Sequence, residues 1–358
     1  MLSHASKLLM RRDGPPDLAH EISQLPEWSS LVFLLNLIII VPIFVIINYT
    51  FETVFPVLAI VEDEKPPAYD PLPVEPLSDN GMPKPAGTPS APVAVQGRPV
   101  TSSFRATYRL VRSQGGFRAL FRGLPCLAAQ ALVTGLISGP IYSIAPFSFV
   151  FSSLVSSLIL VQLSTAWVHI VITPASVLPF WRRLPPFKAT FNATWRPTLI
   201  YWAATQIASF ITIGIAYLVQ AKQGADLNDP NSFAGAVPAL IIAILLQIAV
   251  QIPAYVVLVR VQASLLPADA DTIVPFDRSF NGRIEPVVVG GLGYATVRDA
   301  WSSFSKSAWR RIVMLNVKVA AISVVAVLFT AALIIPQFII LASLAGSGDG
   351  ADNHDIKM

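Results

Sequence analysis

Six long apolar segments dominate the chain, at residues 29–60, 119–144, 147–174, 197–219, 233–259 and 312–344. Each exceeds the roughly 20 residues an α-helix needs to cross a hydrocarbon core. A soluble fold has no place to hide so much apolar surface. Hydrophobic residues make up 54% of the 358 positions and charged residues only 13%, about half the usual charged share. The backbone of a lipid-exposed segment must satisfy its own polar groups, so an all-α bundle follows. Pro42, Pro56, Pro125, Pro174, Pro253 and Pro336 fall in or beside these segments and predict kinks.

The links alternate in character. Of the 25 Lys and Arg residues, 19 fall in the first, third and fifth links or at their edges. The positive-inside rule then places those three links on one side and both termini on the other. Residues 1–28 are polar; Asp13, Asp17, Glu21 and Glu27 precede the first apolar run, unlike a secretory signal or a mitochondrial presequence. Residues 61–100 are rich in proline and lack apolar periodicity, which predicts an extended linker. The remaining divisions are a first span at 29–60, a second at 101–145 with the stretch leading into it, helix pairs at 146–221 and 222–345, and a polar tail at 346–358.

Each basic link ends in an aromatic amphipathic stretch. Phe104, Tyr108 and Val111 share one helical face; Phe187, Phe191 and Trp195 recur every four residues; Tyr294, Val297, Trp301 and Phe304 recur at three, four and three. Such stretches suit helices lying in the membrane interface or packed on the basic face of the bundle. Each then delivers an aromatic–Arg pair: Phe121-Arg122-Gly123, Trp195-Arg196 and Trp309-Arg310. The fold class expected is therefore an all-α membrane protein. Its six transmembrane helices form three helix–interfacial helix–helix repeats.

That plan resembles the mitochondrial carrier family. GGFRALFRGLP, from Gly115 to Pro125, looks like the family's signature at the start of an even helix. PAYVVLVRVQ, from Pro253 to Gln262, looks like its Pro-x-acid-x-x-base-x-Arg/Gln signature on an odd helix. The resemblance implies a carrier-like bundle and gates made of inter-repeat salt bridges. The chain departs from that pattern. The acid and base positions hold Tyr255 and Leu258 after Pro253, Ser176 and Pro179 after Pro174, and Leu58 and Val61 after Pro56. Arg260 and Gln262 alone survive there. Ser143 and Leu218 follow Tyr142 and Tyr217, where the opposite gate would need acids. A bundle without either ion-pair network lacks the two latches that hold two nearly equal states.

The possible solute contacts, counted along the even helices from each Arg, are Gln130, Thr205 and Lys318, with Asn316 nearby. A lysine inside a span faces a cavity or snorkels to the interface. Pro66, Pro67 and Tyr69 form a P-P-x-Y motif, the spacing WW domains grip, including those of ubiquitin ligases. There is a single cysteine, Cys126, the four histidines are scattered, and no P-loop, G-x-S-x-G or H-E-x-x-H sequence occurs. Neither an enzyme, a metal site nor a cofactor is expected, and nucleic acid is not an expected partner. The reading favoured is a membrane scaffold or adaptor, with a solute transporter of unusual gating as the alternative. The mitochondrial outer membrane is favoured over the inner membrane or an endomembrane.

Overall fold

The computed structural model describes residues 28–63, 99–143, 148–223, 231–267, 269–285 and 289–352. The described residues are helical, with turns and extended connections and no strand. Five helices are long and apolar enough to cross a membrane: Ser29–Val61, Gly116–Tyr142, Phe187–Val219, Ile241–Ser264 and Lys306–Gln337. A sixth candidate, Ser148–Ile159 plus Val161–Ile172, is bent by 60° at Leu160. The third apolar segment is thus a bent helix pair and not one straight helix. The P-P-x-Y motif and most of the proline-rich linker lie outside the described residues.

The spans are built from α1 (Ser29–Val45) and α2 (Phe55–Val61), then α4 (Leu124–Tyr142), α5 (Ser148–Ile159), α6 (Val161–Ile172) and α7 (Phe187–Gln223). They continue with α8 (Asn231–Leu246), α9 (Ile252–Ser264) and α11 (Lys306–Asp352). The short helices α3 (Phe104–Ser113) and α10 (Val297–Ser302) lie in the first and fifth links. Two π-helical stretches interrupt the first and fifth spans, Ile46–Val54 and Gln247–Gln251. Each ends two residues before a proline, Pro56 and Pro253. A proline cannot donate to the carbonyl four residues back and its ring crowds that turn, so the helix widens ahead of it.

Two of the three expected interfacial helices form as separate elements. α3 carries Phe104, Tyr108 and Val111 against the core, with Thr107 and Val111 buried. α10 starts at a capping box, in which Thr296 Oγ1 and the Asp299 carboxylate satisfy each other's backbone N–H. The stretch containing Phe187, Phe191 and Trp195 does not separate. It runs on through Pro197 as the first turns of the 37-residue α7. Pro197 falls beyond the first turn, yet nothing in the flanking sequence supplies a stop.

The chain divides into two compact units, Asn48–Val319 and Met1–Ile47 with Ala320–Met358. In the second of these, Asn36 Nδ2 donates to Gln337 Oε1 at 2.5 Å, an amide pair between two otherwise apolar spans. The first unit holds a core made by the ends of the odd spans. α2, α6 and α9 each pack on the other two, and every residue of Phe55–Val61 is buried. Large apolar side chains are left exposed along the spans, among them Leu37, Leu132, Phe151, Ile213 and Leu245, as lipid-facing surface is.

Candidate functional site

The end of the first unit where α2, α6 and α9 meet holds its buried charges. α2 stops at Val61 and Glu62 turns extended, at φ −63° and ψ 119°. That turn carries Glu62 and Asp63 off the helix and across to α9 and α11. Arg260 Nη1 lies 3.6 Å from Asp63 Oδ1, and Arg311 Nη1 lies 3.8 Å from Glu62 Oε2. Arg260 is 2% exposed. It also donates to Ile60 O and Ser303 Oγ, at 3.2 and 3.1 Å, and sits 4.7 Å from the Phe280 ring centroid and 5.4 Å from that of Phe304. Arg311 donates to the carbonyls of Ala59 and Glu62, at 3.0 and 2.6 Å.

This corrects the expectation that no inter-repeat ion pair survives. The pattern after Pro56 places the acid at Leu58, but the acids stand at Glu62 and Asp63, beyond the helix end. Their position in the acidic start of the linker disguised them. The one available signal was an acid pair directly after an apolar helix end. Glu62 also accepts hydrogen bonds from the N–H groups of Val100 and Thr101, at 2.6 and 2.9 Å, and from the Thr101 hydroxyl. The chain therefore leaves for the proline-rich stretch and returns from it at one place.

The third span joins this end through neutral groups and arginines. Arg122 Nη2 donates to Thr173 O, and Arg183 Nη2 donates to Thr173 Oγ1 at 2.6 Å. His169 Nε2 meets Gln262 O at 2.9 Å, and Gln262 Nε2 donates to Ser164 Oγ at 2.9 Å. Arg122 thus holds the end of α6, and Arg311 the end of α2. Arg196 instead lies over its neighbour Trp195, 5.1 Å from the ring centroid.

Gly123 shows why its position excludes a side chain. It precedes α4 at φ 78°, and a Cβ there would meet Trp167 Cδ1 and Nε1 at 3.1 Å and the Tyr49 hydroxyl at 3.2 Å. Tyr49 donates to Arg122 O, and Thr50 Oγ1 donates to Leu120 O at 2.9 Å. The π-helical part of the first span thereby satisfies carbonyls at the start of the second. Phe121 is half-buried against the core. Trp309 packs edge-on against Phe304, centroids 4.8 Å apart, and Arg310 is exposed. Pro253 opens the first turn of α9.

Outside the spans, burial raises the Asp63 carboxyl above the usual carboxylate range, opposed by Arg260 and by the Asp277 N–H. Burial also lowers Arg183. Partial burial pushes Asp277 up, but hydrogen bonds from Ser279 and Asn281 and the charge of Arg260 outweigh it, and the carboxyl lies below its ordinary value.

The four possible solute contacts are not assembled. Thr205 Oγ1 donates to Tyr201 O, and Asn316 Nδ2 donates to Ile312 O, each within its own helix. Gln130 is half-buried. Lys318 is exposed and lines a groove of about 250 Å³ with Arg310, Arg311 and Thr101. Two larger cavities, of about 440 and 930 Å³, lie where the second and fourth spans meet the links. None of Gln130, Thr205 and Asn316 lines any of the three. Among the described residues, no group of three His, Cys, Asp or Glu side chains is placed to hold a metal ion. No family model, curated protein or solved structure matches the chain.

Proposed function

We propose that this polytopic helical membrane protein is a membrane scaffold or adaptor built on a degenerate carrier-like bundle. The carrying observation is how its polar side chains are used. Arg260 binds the ends of α9 and α2 to each other, and Arg122 and Arg311 tie the starts of the second and sixth spans to the ends of α6 and α2. Of the side chains that would have to meet a solute, Thr205 and Asn316 bond to their own helices and Lys318 lines an open groove. The carrier-like reading draws support from the mutual packing of α2, α6 and α9 and from Arg122 and Arg311, each of which reaches the odd-span end of another repeat, Arg311 one residue beyond the aromatic–Arg pair. In this reading the protein resides in the mitochondrial outer membrane, and Pro66, Pro67 and Tyr69 dock a WW-domain protein such as a ubiquitin ligase.

Two measurements test the reading. Purified protein in liposomes loaded with carboxylates, nucleotides or amino acids should exchange none of them above empty liposomes. Pull-down of WW-domain ligases by the full chain should be lost in Tyr69→Ala, with membrane insertion unchanged. Robust exchange, or identical partners for wild type and Tyr69→Ala, would overturn it.

The alternative is a solute transporter of the mitochondrial carrier type. One observation favours it: the Arg260–Asp63 and Arg311–Glu62 pairs join the first and third repeats at one end, as a gate would. Saturable exchange abolished by Arg260→Met would select this reading.

A further inference from the structure

The fifth link does more than connect. Residues 269–285 lie across the end where the odd spans meet, and they touch all three. Ile273 N donates to Ile172 O at 2.9 Å, at the end of α6. Asp63 N donates to Pro275 O at 2.9 Å, and Asp277 N donates to Asp63 Oδ2 at 2.7 Å, just past the end of α2. The Phe280 ring lies over Arg260 of α9. Val274, Phe276 and Phe280 are buried, the last two packed edge to face with centroids 5.7 Å apart.

The backbone that inserts Phe280 is held in an unfavourable conformation. Phe280, Asn281 and Gly282 have φ of 52°, 60° and 74°, three left-handed residues in a row. Glycine accepts that region and asparagine tolerates it, but a bulky phenylalanine does not adopt it without support. Support comes from Asp277, whose carboxylate accepts from the Ser279 N–H, the Ser279 hydroxyl and the Asn281 N–H at 2.9, 2.6 and 2.8 Å. A strained, over-determined turn that drives an aromatic ring onto a buried arginine is unlike a passive connection. Strain of this kind collects at clamps and switches.

We propose that residues 269–285 are a latch that clamps the ends of the first, third and fifth spans together and must peel away before that end can part. In the scaffold reading the latch keeps the end shut; in the transporter reading it is released during the cycle. The latch itself depends on neither. Its main fastening is Phe280, and Asp277 shapes the turn that presents it.

The test uses the full chain in liposomes, in a Cys126→Ser background. A reporter cysteine is placed at Ala263, buried near the end of α9, and a control cysteine at Ala208, buried within α7. Labelling is by a membrane-impermeant maleimide. Phe280→Ala should raise the labelling rate at position 263 at least tenfold and leave position 208 unchanged. Phe280→Leu, which keeps apolar bulk but loses the ring face, should raise it less, and decides the matter if Phe280→Ala does not fold. No increase at 263, or an equal increase at both positions, overturns the proposal, the second because it would mark residues 269–285 as general packing.

Discussion

Replacing Arg260 with methionine isolates the energetics of the joined helix ends. The substitution keeps a long apolar stem and removes a charge that is 2% exposed. It deletes the ion pair with Asp63, hydrogen bonds to Ile60 O and Ser303 Oγ, and the contacts over Phe280 and Phe304. Removing one partner of a buried pair costs about 3–5 kcal/mol. The Asp63 side chain keeps 21% exposure and the pair is long at 3.6 Å, so about 3 kcal/mol is expected. A cycle with Asp63→Asn, which keeps an acceptor for the Asp277 N–H, should show a coupling of about 1–2 kcal/mol. The assay is reversible unfolding of purified protein in mixed micelles with rising SDS, read by tryptophan fluorescence. A pH arm adds a signed test. A carboxyl whose folded pKa lies above its unfolded value binds more protons when folded, so stability rises as pH falls through the folded value. Burial already holds Asp63 in that state, and loss of Arg260 drives it further. The Arg260→Met defect is therefore greatest at neutral and alkaline pH and shrinks as pH falls through the raised pKa of Asp63. A defect within about 0.5 kcal/mol of wild type, or strict additivity in the cycle, refutes the reasoning.

Gly123→Ala should destabilise the bundle by about 1–2 kcal/mol in the same assay, from the left-handed backbone and the crowding against Trp167 and Tyr49; an unchanged midpoint would show that Trp167 yields freely. Replacing residues 64–98 with a Gly/Ser linker of about eight residues should shift stability by less than about 1 kcal/mol, because Glu62 already holds Val100 and Thr101 beside the departing chain; loss of folding would give that stretch a structural role. Cysteines placed at Ser113, Ser176 and Asn281 in Cys126→Ser protein should label from one side of the membrane and one at Asp226 from the other; labelling of positions 113 and 226 from the same side ends the topology.

The sequence by itself determined the solvent. Six apolar runs with so few charges leave only a helical membrane fold, and the periodic aromatic residues before each even span located α3 and α10. It also pointed to Gly123 and Arg260, through short motifs whose backbone and charge requirements are local. What only the tertiary structure decided is which charges meet. Glu62 and Asp63 read as the first acids of a linker, because their partners Arg311 and Arg260 lie 249 and 197 positions away and no local spacing encodes such a pairing. The break at Leu160 carries no proline or glycine to announce it. The fifth link reads as a polar connection with a few aromatic residues, and its hold on three helix ends arises from backbone hydrogen bonds at Asp63 and Ile172 and from the Phe280 ring over Arg260, partners far away in the sequence. Hydrophobicity is additive along a chain and can be read position by position. Ion pairs and backbone bonds across a closed end depend on where helices stop and how the chain turns beyond them, and that is set by packing.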